Sequence, residues 1–248
     1  SDLTATYDGA AKSASATTDP ADLTVVLTYE GSATAPSNAG SYAVVATIDD
    51  ANYSGSASGD LVIEKATATV NLGDLAAAYD GDAKSAFATT DPTDLTVGLT
   101  YDGSATAPTN AGTYAVVATI NDDNYSGSAS GDLVIDKAVA TVTLGDLTAT
   151  YDGNAKSASA TTDPAALTVV FTYEGSATAP TDAGTYAVVA TIDDVNYTGT
   201  ASGDLVIGKA TAVVTLGDLA ATYDGNAKSA SATTDPTDLT VGLTYDGS

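Results

Sequence analysis

Tyr7-Asp8-Gly9 returns at Tyr79-Asp80-Gly81, again at Tyr151-Asp152-Gly153, and again at Tyr223-Asp224-Gly225. The spacing is 72 residues each time, with no spacer between copies. This period constrains the fold more than any other feature of the chain. It exceeds the roughly 20–50 residues of solenoid units, so each copy is expected to be a small domain with its own core. The copies fall at residues 1–65, 66–137, 138–209 and 210–248. The first has no counterpart of Ala66–Leu72 and the last ends at the counterpart of Ser104, so the expected context is a longer array. A catalyst needs one good site, whereas tandem near-copies supply length, valency or both.

The copy from Ala66 to Lys137 shows what one unit contains. Ala66, Ala68, Val70 and Leu72 alternate with Thr67, Thr69 and Asn71, which is the period of a half-buried strand. Tyr79-Asp80-Gly81 is a turn of the Asp-Gly type, and a short strand is expected around residues 84–89, ended by Asp91-Pro92. Leu95, Val97, Leu99 and Tyr101 then point inward and Asp102-Gly103 turns the chain. Tyr114, Val116, Ala118 and Ile120 give the longest alternating run, and Leu133 with Ile135 close the unit. A non-strand insertion is expected only at Leu75–Tyr79, or as a single turn near Pro92–Leu95. No segment carries apolar residues at helical spacing over three turns, so the expected class is all-β, a tandem array of small domains. Asp136-Lys137 leads straight into the next strand, and the junctions at Lys65, Lys137 and Lys209 should therefore hinge little. With strands of about seven residues, each domain should add on the order of 30–35 Å to an elongated rod.

Several motifs in fixed order carry a family resemblance. Lys-Ala-Thr-Ala-Thr-Val (65–70), Tyr-Asp-Gly (79–81), Tyr-Asp-Gly-Ser (101–104), Ala-Pro-Thr-Asn-Ala-Gly-Thr-Tyr (107–114) and Asn-Tyr-Ser-Gly (124–127) resemble the MBG domain. The resemblance implies a mostly-β repeat, described as β-grasp-like, of large bacterial surface proteins; an Ig-like sandwich is the other layering the pattern allows. It implies an adhesin-like, extracellular or cell-surface setting and brings no catalytic residues.

The balance of charge narrows the partners. Seven lysines face 32 acidic residues, a formal net charge of −25, and every acid except Glu30, Glu64 and Glu174 is aspartate. Such a polyanion repels nucleic acid, which is bound by clustered Lys and Arg. Aspartate favours turns, where its short carboxylate bonds nearby N–H groups. No apolar run approaches the ~18 residues of a membrane-spanning helix, so no direct membrane insertion is expected of this segment.

Catalysis finds little support. Histidine and cysteine are absent, so no conventional nucleophile–base pair can be assembled from the abundant Ser and Thr. Calcium is the more serious candidate, since it takes six to eight oxygen ligands. The best cluster is Asp122-Asp123-Asn124, matching Asp49-Asp50-Ala51-Asn52 and Asp193-Asp194-Val195-Asn196. Only Asp50, Asp122 and Asp194 and the asparagine persist, too few for a dedicated cage, so a solvated turn is the favoured reading and no cofactor is expected. Tyr101 and Tyr114 read as core, and Phe87, replaced by Ser15, Ser159 and Ser231 in the other copies, as exposed or peripheral. Lys84, with Lys12, Lys156 and Lys228, reads as an edge-strand lysine that discourages edge-to-edge pairing.

The function expected is a non-enzymatic stalk or spacer whose partners are the neighbouring repeats of the same chain. The alternative is a multivalent or self-associating, fibre-forming module.

Overall fold

The computed structural model describes residues 3–245, which contain strands and turns and no helix. Among the described residues, therefore, no helix is long and apolar enough to cross a membrane. The chain divides into two compact units, Ser1–Ala138 and Val139–Ser248.

The first unit holds a complete copy of the repeat. Its strands Val97–Tyr101, Gly112–Ile120 and Ser128–Asp136 form an antiparallel meander. The period-two pattern explains why they pair in one register. Tyr114, Val116, Ala118 and Ile120 all face one layer, and a slip by one residue would turn Val116 (0 % exposed) out to water. Asp102 (φ 47°) and Gly103 (φ 83°) make the tight hairpin turn, with the Tyr101 and Ser104 backbones bonded both ways at 2.7 and 2.9 Å. Two central residues of positive φ match the right-handed twist of the flanking strands.

A fourth strand, Ala76–Ala78, completes the sheet by pairing in parallel with Val134–Asp136. Its location corrects the reading of Leu75–Tyr79 as a non-strand insertion. Three alanines carry little alternation signal, and the strand owes its place to a partner almost sixty residues away in sequence. The expected strand around residues 84–89 also lies later, at Phe87–Asp91.

Phe87–Asp91 pairs antiparallel with Thr69–Gly73 in a two-stranded ribbon laid over the four-stranded sheet. The unit is thus two β layers with no helix between them. Ala68 and Val70 from the ribbon side meet Ala118 and Ile120 of the sheet, which gives one apolar cluster. Ala86, Tyr101, Val116, Leu133 and Ile135 form a second. The Tyr101 ring fills space that Ala and Val cannot, and its hydroxyl accepts the Ala86 N–H at 2.9 Å. Tyr29 and Tyr173 repeat that bond with Ala14 and Ala158. Tyr114 is half-buried and donates its hydroxyl to the Asn110 carbonyl. Phe87 is 57 % exposed, as its replacement by serine elsewhere implied.

The second unit repeats the design. Its sheet orders Thr148–Thr150, Thr200–Gly208, Gly184–Ile192 and Val169–Tyr173, with the ribbon Thr141–Gly145 and Ser159–Asp163 above it. Ala140, Val142, Ala190 and Ile192 and, separately, Ala158, Tyr173, Val188, Leu205 and Ile207 form its two clusters.

Candidate functional site: the joint between repeats

Within the first unit, the strand Ser56–Glu64 of one repeat passes through the single residue Lys65 into Ala66–Thr67 of the next. Three features of the Asp122–Tyr125 turn lock that passage.

The turn first holds its own shape. Asp122 Oδ1 accepts the N–H groups of Asn124 and Tyr125 at 2.8 and 2.9 Å. A short carboxylate reaching two and three residues ahead is the ordinary Asx turn. The turn then clamps the incoming strand, because Ala66 N–H donates to the Asn124 carbonyl and Ala68 N–H to the Ser126 carbonyl, both at 2.9 Å. Finally the turn reaches back to the preceding repeat. Asn124 Oδ1 accepts the Ala39 N–H at 2.8 Å, Lys65 Nζ donates to the Asp122 carbonyl at 2.6 Å, and the Tyr125 ring meets Tyr7 edge-on at 5.3 Å between centroids. Asn124 therefore holds both repeats at once, one through its carbonyl and one through its side chain.

Close approach makes the clamp possible. A Cβ on Gly127 would lie 2.2 Å from the Ala68 carbonyl oxygen, and one on Gly199 the same distance from that of Ala140. Only glycine lets the first strand cross here.

The sequence-derived calcium candidates lie in these turns. Asp50 Oδ1 accepts the N–H groups of Asn52 and Tyr53, and Asp194 Oδ1 those of Asn196 and Tyr197. Among the described residues no three acidic side chains gather into a group that could hold a metal. The turn carboxylates are oriented toward backbone donors, and the persistence of Asp and Asn across copies has a sufficient cause in turn and joint geometry. What the sequence reading missed is the joint role of the asparagine. Its persistence at Asn52, Asn124 and Asn196, while Ala51, Asp123 and Val195 differ beside it, was the available signal.

The lysine reading needs correction. Lys84 is not in a strand; it lies between the Asp-Gly turn and Phe87–Asp91. Its ammonium pairs with Asp80, as Lys12 pairs with Asp8 at 2.6 Å and Lys156 with Asp152 at 2.6 Å. Its N–H donates to the Pro108 carbonyl. The lysine fastens a turn to a loop and guards no sheet edge. Its hydrogen bond, aided by the backbone N–H of Asp82, holds the Asp80 carboxyl below the usual carboxylate range, and Asp8, Asp152 and Asp224 are lowered in the same way.

Comparison with known proteins agrees with the period. The family described as MBG domain matches residues 1–67, 68–139, 140–211 and 212–248, and so tiles the chain. No curated protein matches the chain. Two solved structures are similar in part. Sidekick-1 immunoglobulin domains 1–4 share 11 % identity over 76 % of this chain and 68 % of that one, at a TM-score of 0.32. Sidekick-1 immunoglobulin domains 1–5 share 14 % over 76 % of this chain and 53 % of that one, at a TM-score of 0.25.

Proposed function

The chain belongs to the MBG domain family, and from that premise we propose that it is a non-enzymatic spacer, a run of stalk repeats in an extracellular or cell-surface bacterial protein. The observation that carries the reading is the joint at Lys65. Consecutive domains share a continuous strand path and are tied by the Asn124 side chain, so thermal bending at the junction must break specific bonds. A flexible linker would let the distance between chain ends grow only as the square root of copy number, whereas locked domains add length in proportion. The domain boundaries at residues 65, 137 and 209 belong to this reading. The acidic surface supports it too, since net charge far from zero keeps exposed β-domains soluble and apart. Small-angle scattering on chains of two and three repeats tests the proposal. The maximum dimension should rise by on the order of 30–35 Å for the added repeat. A rise much below that would replace the spacer with a compact or freely jointed array.

A further inference from the structure

Tension on a run of tandem domains reaches each domain at its two chain ends, so the pairing of the end strands decides how it yields. In repeat 2 that pairing is parallel. Ala76–Ala78 runs beside the end of the last strand, with Ala76 opposite Val134 and Ala78 opposite Asp136. One further bond closes each end of the pair: Val134 N–H donates to the Leu75 carbonyl and Tyr79 N–H to the Asp136 carbonyl, both at 2.9 Å. Repeats 1 and 3 use the same register, Thr4–Thr6 on Val62–Glu64 and Thr148–Thr150 on Val206–Gly208. The closing bonds recur there too, from Val62 to Leu3 and Tyr7 to Glu64, and from Val206 to Leu147 and Tyr151 to Gly208.

The direction of the two strands sets how force falls on these bonds. The chain enters the pair at its Leu75 end and leaves it at its Asp136 end, which are opposite ends. Pulling on the chain therefore slides one strand along the other and loads all the bonds at once. Strands pulled from the same end would instead open one bond at a time. No slack intervenes, since Asp136 passes through Lys137 alone into the next strand, Ala138–Val139. Residues 79–133 lie behind the pair and bear no tension while it holds. Sliding also costs packing. Leu75 and Tyr79, on either side of the three alanines, both pack on the cluster of Ala86, Tyr101, Val116, Leu133 and Ile135. Leu75 lies over Gly131, where a Cβ would come 3.0 Å from its Cδ1. A shift of one residue would displace both side chains as it broke the bonds.

We propose that each repeat carries tension through this lengthwise clamp, so that the array withstands pulling along the chain as well as setting a distance. The clamp rests on the spacer reading for its purpose, but the two are measured separately. Scattering reads the length of a resting chain, whereas the clamp shows only under force, so either can fail while the other stands.

Single-molecule pulling of the whole chain at constant force tests the proposal. The sequence has no cysteine, so an introduced pair fixes the two points of attachment. Asn71→Cys with Lys137→Cys pulls the clamp of repeat 2 from opposite ends, and Asp82→Cys with Lys137→Cys pulls it from the same end. All three positions are exposed. A released length of about 3.3–3.6 Å per residue between the handles identifies the opening of repeat 2. Forced opening follows the unfolding rate, so lifetimes at one force compare the two directions. The lifetime should be about tenfold or more longer from opposite ends, because at least two hydrogen bonds must break together rather than in turn. Val134→Pro removes the N–H that reaches Leu75 and should shorten the opposite-end lifetime roughly two- to tenfold. Equal lifetimes in the two directions overturn the proposal. So does a folded Val134→Pro chain that holds as long as its parent; if that variant fails to fold, the comparison of directions decides alone.

Discussion

Replacing Gly127 with alanine should open the joint at one point and leave the sheet standing. The added Cβ would sit 2.2 Å from the Ala68 oxygen, 3.2 Å from the Ala68 carbonyl carbon and 3.1 Å from Ile120 Cδ1. The first two are backbone atoms, so the strand must move rather than a side-chain tip. Moving it breaks the Ala66–Asn124 and Ala68–Ser126 hydrogen bonds. At about 0.5–1.5 kcal/mol each these contribute ~1–3 kcal/mol. Partial exposure of Ala68 and Val70, 5 % and 7 % exposed in the intact unit, adds roughly 1 kcal/mol more. The sum, about 2–4 kcal/mol, corresponds to local opening roughly thirty- to a thousandfold more frequent. Hydrogen exchange of the whole chain reads this directly at the amides of residues 66–73 and 124–127. Gly55→Ala is the matched control. Its Cβ would meet only the Ile48 side chain, 3.1 Å from Cδ1, so it should change exchange in repeat 1 by less than about threefold. Unchanged protection of residues 66–73 in Gly127→Ala, or an equal effect of Gly55→Ala, would refute the close-approach argument.

Four further outcomes are expected. Tyr101→Phe removes the acceptor of the buried Ala86 N–H and should destabilise repeat 2 by about 1–3 kcal/mol, measured by urea unfolding with exchange at Ala86 as the local readout. Asn124→Ala deprives the Ala39 N–H of its partner across the joint and should speed exchange at Ala39 by about tenfold, while the sheet amides at Val116 and Leu133 stay protected. Lys84→Met should raise the Asp80 carboxyl toward its ordinary value in a side-chain NMR titration. Since the folded-state pKa is depressed, the contribution of the native pair is present above the ordinary carboxylate pKa and is lost as pH falls through the lowered one. The variant should lose that acid-limb dependence. Melting with millimolar calcium against chelator should show no shift; a clear upward shift would reinstate Asp50, Asp122 and Asp194 as ligands.

Much of the layer pattern could be read from side-chain alternation. Val97–Tyr101, Gly112–Ile120 and Ser128–Asp136 each carry a clean period of two, because one face of each strand meets the core and the other meets water. Ala76–Ala78 could not be found that way. Its residues are alike, and its strand state depends on parallel pairing with the far end of the unit. Phe87 and Tyr101 were placed correctly by comparing copies and by strand phase. Lys84 was misplaced, because a lysine beside Ser and Ala looks the same in an edge strand and in a turn anchored to Asp80. The joint was half visible. The absence of a spacer at Lys65 predicted restriction, but the bonds that impose it run from Asn124 to Ala39, separated by 85 positions in the chain. Local periodicity carries no information at that range.

The central claim is that consecutive repeats are locked through the Lys65 joint and do not merely follow one another. Backbone ¹⁵N relaxation on the Ser1–Ala138 unit tests it most directly. Locked repeats predict one shared, anisotropic rotational tensor for the sheet amides of both repeats, and a shift toward separate, faster tumbling in Asn124→Ala. Two independent tensors in the unsubstituted chain would contradict the account.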